Sequence, residues 1–332
     1  MIRILFALFV CVFSLGPSTA IAQQSHCEVE AVHGISQTGF QLAQLPESLQ
    51  TKARRTLQDL LDHEGLYTLF SDLKPMSTGY WNTHFAEAEG EPHEVRDMKQ
   101  ILRKFEMPGR ITAGVLTFNQ SFDGKKYAEA YIANIPVLKR LLIREASFFN
   151  SLGLVENSSP QTIIETVDRA EPELRFRGFG LLFGYPEHAV EFFVEAHKKQ
   201  QVTGKFVERD FFHVETFSKE KGAFVWAVPK GHVANERDLE IRRHAEAILE
   251  RYRSLREICI SHALPIESLV KHWFEHDTTS SRAVRVKWNL RTASRKGAFF
   301  NKLRPQSLVH QIRHQVRQCS QSLQGNNRQL HR

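Results

Sequence analysis

Residues Ile111–Ile132 read ITAGVLTFNQSFDGKKYAEAYI. The first eight of them, Ile111–Phe118, are mostly apolar and β-branched or small, which predicts a strand. Phe122-Asp123-Gly124-Lys125 follows, and Asp-Gly supplies two adjacent residues that tolerate the positive φ of a two-residue hairpin turn. Tyr127–Ile132 is then the returning strand. A second hairpin is expected downstream: Lys205–Phe217 alternates apolar and polar side chains, Lys219–Gly222 turns the chain, and Ala223–Val228 (AFVWAV) returns. Tight hairpins join antiparallel strands, which argues against a doubly wound parallel sheet.

Helices surround these hairpins. Pro46–His63 places Leu49, Ala53, Leu57, Leu60 and Leu61 near one face, with Gly65 as its expected C-cap. Further helices are predicted over Glu94–Phe105, Ile135–Leu152, Pro160–Arg169 behind the N-cap Ser159, Pro186–Lys199, Asn235–His262 and from Pro265 to near His276. Leu66–Trp81 reads as a loop with local order. Phe176–Tyr185 (FRGFGLLFGY) is apolar with three glycines. It lacks the Lys-Ser/Thr ending and the glycine spacing of phosphate loops, so close backbone packing is the expected role of its glycines. The fold class predicted is α+β: mostly helical, with two antiparallel β-hairpins packed on helices, followed by a basic C-terminal tail. The order helices, hairpin, helix recurs loosely, so the body at 46–281 is either two lobes, at about 46–152 and 160–281, or one domain.

The N-terminus predicts export. Arg3 precedes the apolar run Ile4–Leu15, Gly16-Pro17 breaks it, and Ala20-Ile21-Ala22 offers small residues to a signal peptidase, giving a cleaved signal at 1–22 and a mature chain from Gln23. A membrane anchor needs ~20 apolar residues, more than this run supplies. Residues 23–45 form an irregular lead-in. The expected location is the periplasm or the exterior, where disulfides are permitted. Cys27, Cys259 and Cys319 remain after cleavage, and Cys259 is expected to be buried on its helix; pairing of the three stays open.

Charge is unevenly distributed. No Asp or Glu follows Asp277 in the 332-residue chain, while 282–332 holds twelve Lys and Arg. The net charge of +7 therefore splits into +12 for this tail and −5 for the rest, or −6 once Arg3 is removed with the signal. Arg282, Arg285, Lys287, Arg291, Arg295, Lys296, Lys302 and Arg304 form the anion-binding set expected from this layout, interleaved with Trp288, Phe299 and Phe300. The expected partner is an anionic lipid, a polysaccharide or another envelope component, and an exported protein disfavours nucleic acid. Such a protein need not be an enzyme and needs no cofactor. The competing view is a solvated tail, or one folded onto the acidic body.

One motif offers chemistry instead. His272-Trp273-Phe274-Glu275-His276 is similar to the inverted zinc motif H-x-x-E-H of the inverzincin metallopeptidases. On a helix, His272 and His276 share a face and can reach one Zn ion, with Glu275 beside them as a base for metal-bound water. That family takes its third ligand from a downstream glutamate, and no acidic residue follows Asp277 here. A metal-dependent hydrolase with metal ligands His272 and His276 and catalytic Glu275 is thus the alternative function. Two weaker patterns are expected to be surface features: the acidic stripe Glu187, Glu191, Glu195, and the strand pair His213 and Glu215.

Overall fold

A computed structural model describes residues 39–218 and 224–277. The signal at 1–22, the lead-in up to residue 38, Cys27, Cys319 and the tail at 282–332 lie outside the described residues. The fold is α+β, mostly helical, with two antiparallel sheets. In chain order the helices are α1 (Glu47–Asp62), α2 (Gly65–Phe70), α3 (His93–Leu102), α4 (Ile135–Arg144), α5 (Ala146–Ser151), α6 (Pro160–Arg169), α7 (Pro172–Leu182), α8 (Glu187–Thr203), α9 (Glu236–Ser261) and α10 (Glu267–Asp277). The strands are β1 (Met76–Ser77), β2 (Asn82–Ala86), β3 (Ile111–Phe122), β4 (Lys125–Asn134), β5 (Arg209–Val214) and β6 (Phe224–Pro229). No described helix is long and apolar enough to cross a membrane.

The Asp-Gly hairpin organises the main sheet. Phe122 pairs with Lys125 across the turn, and Asp123 and Gly124 take φ of 49° and 71°, the positive values that such a turn requires. β4 is central, with β3 along one edge and both β1 and β2 along the other, all antiparallel. The period-2 alternation of side chains then gives the sheet two apolar faces. Ile111 and Ala113 of β3, with Ala130 and Ile132 of β4, enter a core shared with α1, α2, α3, α9, α10 and the β5–β6 hairpin. Leu116, Tyr131 and Ala133 face a second core built by α4, α5, α6 and α7. The sheet is therefore covered on both sides. The lead-in is partly tied down as well, because Phe40 stacks on Phe105 with centroids 4.9 Å apart.

Several local expectations need correction. Gly65 does not cap α1. His63 ends that helix in an extended conformation, and Gly65 opens α2, where a Cβ would lie 2.7 Å from Leu60 Cγ. Leu66–Trp81 is not a loop throughout; it holds most of α2 and all of β1. Ile135–Leu152 is two helices, because Glu145 leaves the helical region at φ −103° and ψ 31° and Phe149 turns into the second core.

The glycine-rich stretch is also helical. Gly178 and Gly180 lie inside α7, and added Cβ atoms would meet Val167 Cγ1 of α6 at 2.7 Å and Val190 Cγ2 of α8 at 2.8 Å. These glycines let three helices approach closely, which is the packing role expected of them. Beyond α7, Gly184 takes φ of 73° against the Leu73 carbonyl, where a Cβ would sit only 2.4 Å from the oxygen. Beside it the fully buried Lys74 Nζ donates to Glu64 Oε2 at 3.2 Å and to the Phe183 carbonyl at 2.7 Å, and lies 4.3 Å from the Phe224 ring centroid. Burial pushes the Glu64 carboxyl up and the Lys74 ammonium down, each opposed by its partner. The pair ties α2 to the end of α7.

Candidate functional site

The start of α9 is set by local sequence. Gly231 turns the chain after β6 at φ 76°, and the His232 N–H donates to the Pro229 carbonyl at 3.0 Å. Asn235 then caps α9: its Oδ1 accepts from the Asp238 N–H at 3.0 Å, while Asp238 Oδ2 accepts from the Asn235 N–H at 3.1 Å. This reciprocal pair is a capping box closed by an aspartate. It leaves the Asp238 carboxylate fully buried.

Three further groups converge on that carboxylate. The indole N–H of Trp226, on β6, donates to Oδ1 at 3.2 Å. His232 Nε2 lies 2.7 Å from Oδ2. His188, in the first turn of α8 behind Pro186, places its Nε2 3.2 Å from Oδ1. The imidazoles stack with centroids 5.5 Å apart and planes inclined by 18°. Their side chains are 30% exposed for His188 and 14% for His232, so the cluster opens to solvent on the histidine side and is closed behind Asp238. Among the described residues, His188, His232 and Asp238 are the group of three metal-ligating side chains, with donor atoms all within 4.8 Å of one another. Chemically the cluster can share protons between two imidazoles and a carboxylate, or take a cation.

The motif singled out from sequence lies elsewhere, on α10. Trp273 and Phe274 are buried in the larger core, whereas His272 is half-buried and Glu275 is exposed, 3.8 Å from Lys271 Nζ. The helix needed by H-x-x-E-H is present; the His276 side chain lies outside the described residues. So do all eight basic side chains of the anion-binding set, Arg282, Arg285, Lys287, Arg291, Arg295, Lys296, Lys302 and Arg304. Glu187, Glu191 and Glu195 point to solvent along α8, as expected. His213 is exposed on the outer face of β5, and Glu215 pairs with Arg253 at 2.9 Å. Cys259 is a buried free cysteine whose thiol is pushed up by desolvation.

Sequence reasoning found the helix start at Asn235 but not the cluster. Its one local signal was His232 and Asp238 flanking that cap; His188 joins them only through the packing of α8 against β6. No protein-family model, no curated protein and no solved structure matches this chain.

Proposed function

We propose that this chain is an exported, non-catalytic protein that attaches to an anionic envelope surface through its basic C-terminal residues. The observation that carries this reading is the charge division: no acidic residue after Asp277, twelve basic ones over 282–332, and −6 over 23–281. A basic residue close to an anionic bilayer contributes about 1 kcal/mol, so even part of the set from Arg282 to Arg304 is enough for measurable attachment. Trp288, Phe299 and Phe300 supply apolar contacts among those charges.

Co-sedimentation with vesicles tests the reading. Phosphatidylglycerol-containing vesicles should bind the mature chain, phosphatidylcholine vesicles should not, and binding should fall steeply as salt shortens the screening length to ~8 Å at physiological ionic strength. Equal binding to both vesicle types would contradict it. Peptide hydrolysis that His272→Ala abolishes would replace it with the metal-dependent hydrolase.

A further inference from the structure

We infer that His188, His232 and Asp238 form a binding site for one divalent transition-metal ion of the zinc class. Two imidazoles and one carboxylate are the donor set that such ions take, and three protein ligands leave a coordination position for water or a small ligand. Hard cations such as calcium prefer all-oxygen sites, which this is not.

Three features of the cluster support a cation. First, the carboxylate is held in place before any ligand arrives. The Trp226 indole takes up one lone pair on Oδ1 and the Asn235 amide one on Oδ2, so the remaining pair on each oxygen faces an imidazole nitrogen. Orientation of a ligand by such outer hydrogen bonds is a regular property of metal sites. Second, the donor atoms are already gathered, all within 4.8 Å of one another. Ligands ~2.0–2.1 Å from a tetrahedral ion stand about 3.3 Å apart; His188 Nε2 meets this at 3.2 Å from Oδ1, while His232 Nε2, at hydrogen-bond distance of 2.7 Å from Oδ2, has to move outward by about half an ångström to admit an ion. Third, Asp238 is a fully buried acid whose ion-pair partners among the described residues are these two imidazoles alone. A neutral histidine pair leaves that charge to hydrogen bonds and the N-terminus of α9; a bound cation compensates it directly. The solvent-facing histidine edges provide an entry path.

The structural alternative is that Asp238 only closes the capping box and anchors two histidines. The two are separated by metal titration of the full mature chain after chelation, with Zn²⁺ followed by calorimetry and Co²⁺ by its visible absorption. Three proteins are compared: wild type, His188→Ala/His232→Ala, and His272→Ala/His276→Ala. The last controls for zinc on α10. Wild type and the α10 variant should each take up one equivalent, and the His188/His232 variant should bind at least tenfold more weakly. Zinc at a hundredfold excess over Kd should raise the melting temperature of wild type by roughly 5–10 °C and leave the His188/His232 variant unchanged. If that double variant fails to fold, His188→Gln alone carries the same comparison, since its partly exposed side chain can be changed without opening the core. No uptake by wild type, or equal uptake by the His188 and His232 variants, would overturn the inference. The outcome is independent of vesicle binding by the tail.

Discussion

The Phe70 ring lies stacked on the Trp273 indole, centroids 4.1 Å apart and planes 12° from parallel. This contact pins α10 to α2, and the Arg251 guanidinium covers the same indole, 4.0 Å from its ring centroid. The helix that carries His272, Glu275 and His276 is thus a core element in its own right. Trp273→Ala should lower stability by about 3–5 kcal/mol, whereas His272→Ala, at a half-buried position beside it on the same helix, should cost clearly less. Urea unfolding checks both. A loss of several kcal/mol in the histidine variant would mean that the motif is built into the fold.

Gly178 tests the packing of α6 against α7. Ala normally favours a helix interior over Gly by about 1 kcal/mol, but here the new Cβ meets Val167 Cγ1 at 2.7 Å. Gly178→Ala should therefore destabilise, by about 1–3 kcal/mol as overpacked sites do. Combining it with Val167→Ala should cost less than the sum of the two single changes, because Val167→Ala removes the clashing methyls. Strict additivity in thermal or urea unfolding would show that the two residues are not in contact.

All six tyrosines of the chain are held above the ordinary phenol range, in each case chiefly by burial. Tyr131 is pushed up to about 12, and Tyr127 is raised further by the Glu129 carboxylate beside it. In the unfolded chain a phenol ionises near 10, so the folded state holds its tyrosine protons more tightly. The resulting stability is fully present below pH 10 and is lost as pH rises toward the folded values. Absorbance at 295 nm during alkaline titration should show no phenolate before circular dichroism reports unfolding. A reversible native-state titration of one or more tyrosines near pH 10 would contradict the burial described here.

Much of the fold could be read from sequence because the decisive signals were local. Asp123-Gly124 set the turn and the pairing beside it, up to the register shift between Thr117 and Ser121; Ser159-Pro160 and Asn235 marked helix starts, and Leu49, Ala53, Leu57, Leu60 and Leu61 shared the buried face of α1. The failures have physical causes as well. β1 is two residues long and β2 five, and both exist through pairing with β4 rather than through a pattern of their own. α7 was hidden because Gly178 and Gly180 disfavour helix locally, and the reason for them, close approach of α6 and α8, lies in tertiary packing. The His188, His232, Asp238 cluster was hidden for the same reason, since it joins residues 44 and 50 positions apart across two elements. The anion-binding set was read from charge alone.

On the proposed function, the basic residues near the C-terminus hold the protein on an anionic surface. The most direct measurement compares co-sedimentation of the mature chain with that of a full-length variant in which Arg282, Arg285, Lys287, Arg291, Arg295, Lys296, Lys302 and Arg304 are all changed to Gln, using phosphatidylglycerol vesicles at low salt. At about 1 kcal/mol for each engaged residue, losing even three of them should weaken binding on the order of a hundredfold, with the melting temperature unchanged. Equal binding by the two proteins, together with a much lower melting temperature for the variant, would show instead that these residues serve the fold and that the proposed function is wrong.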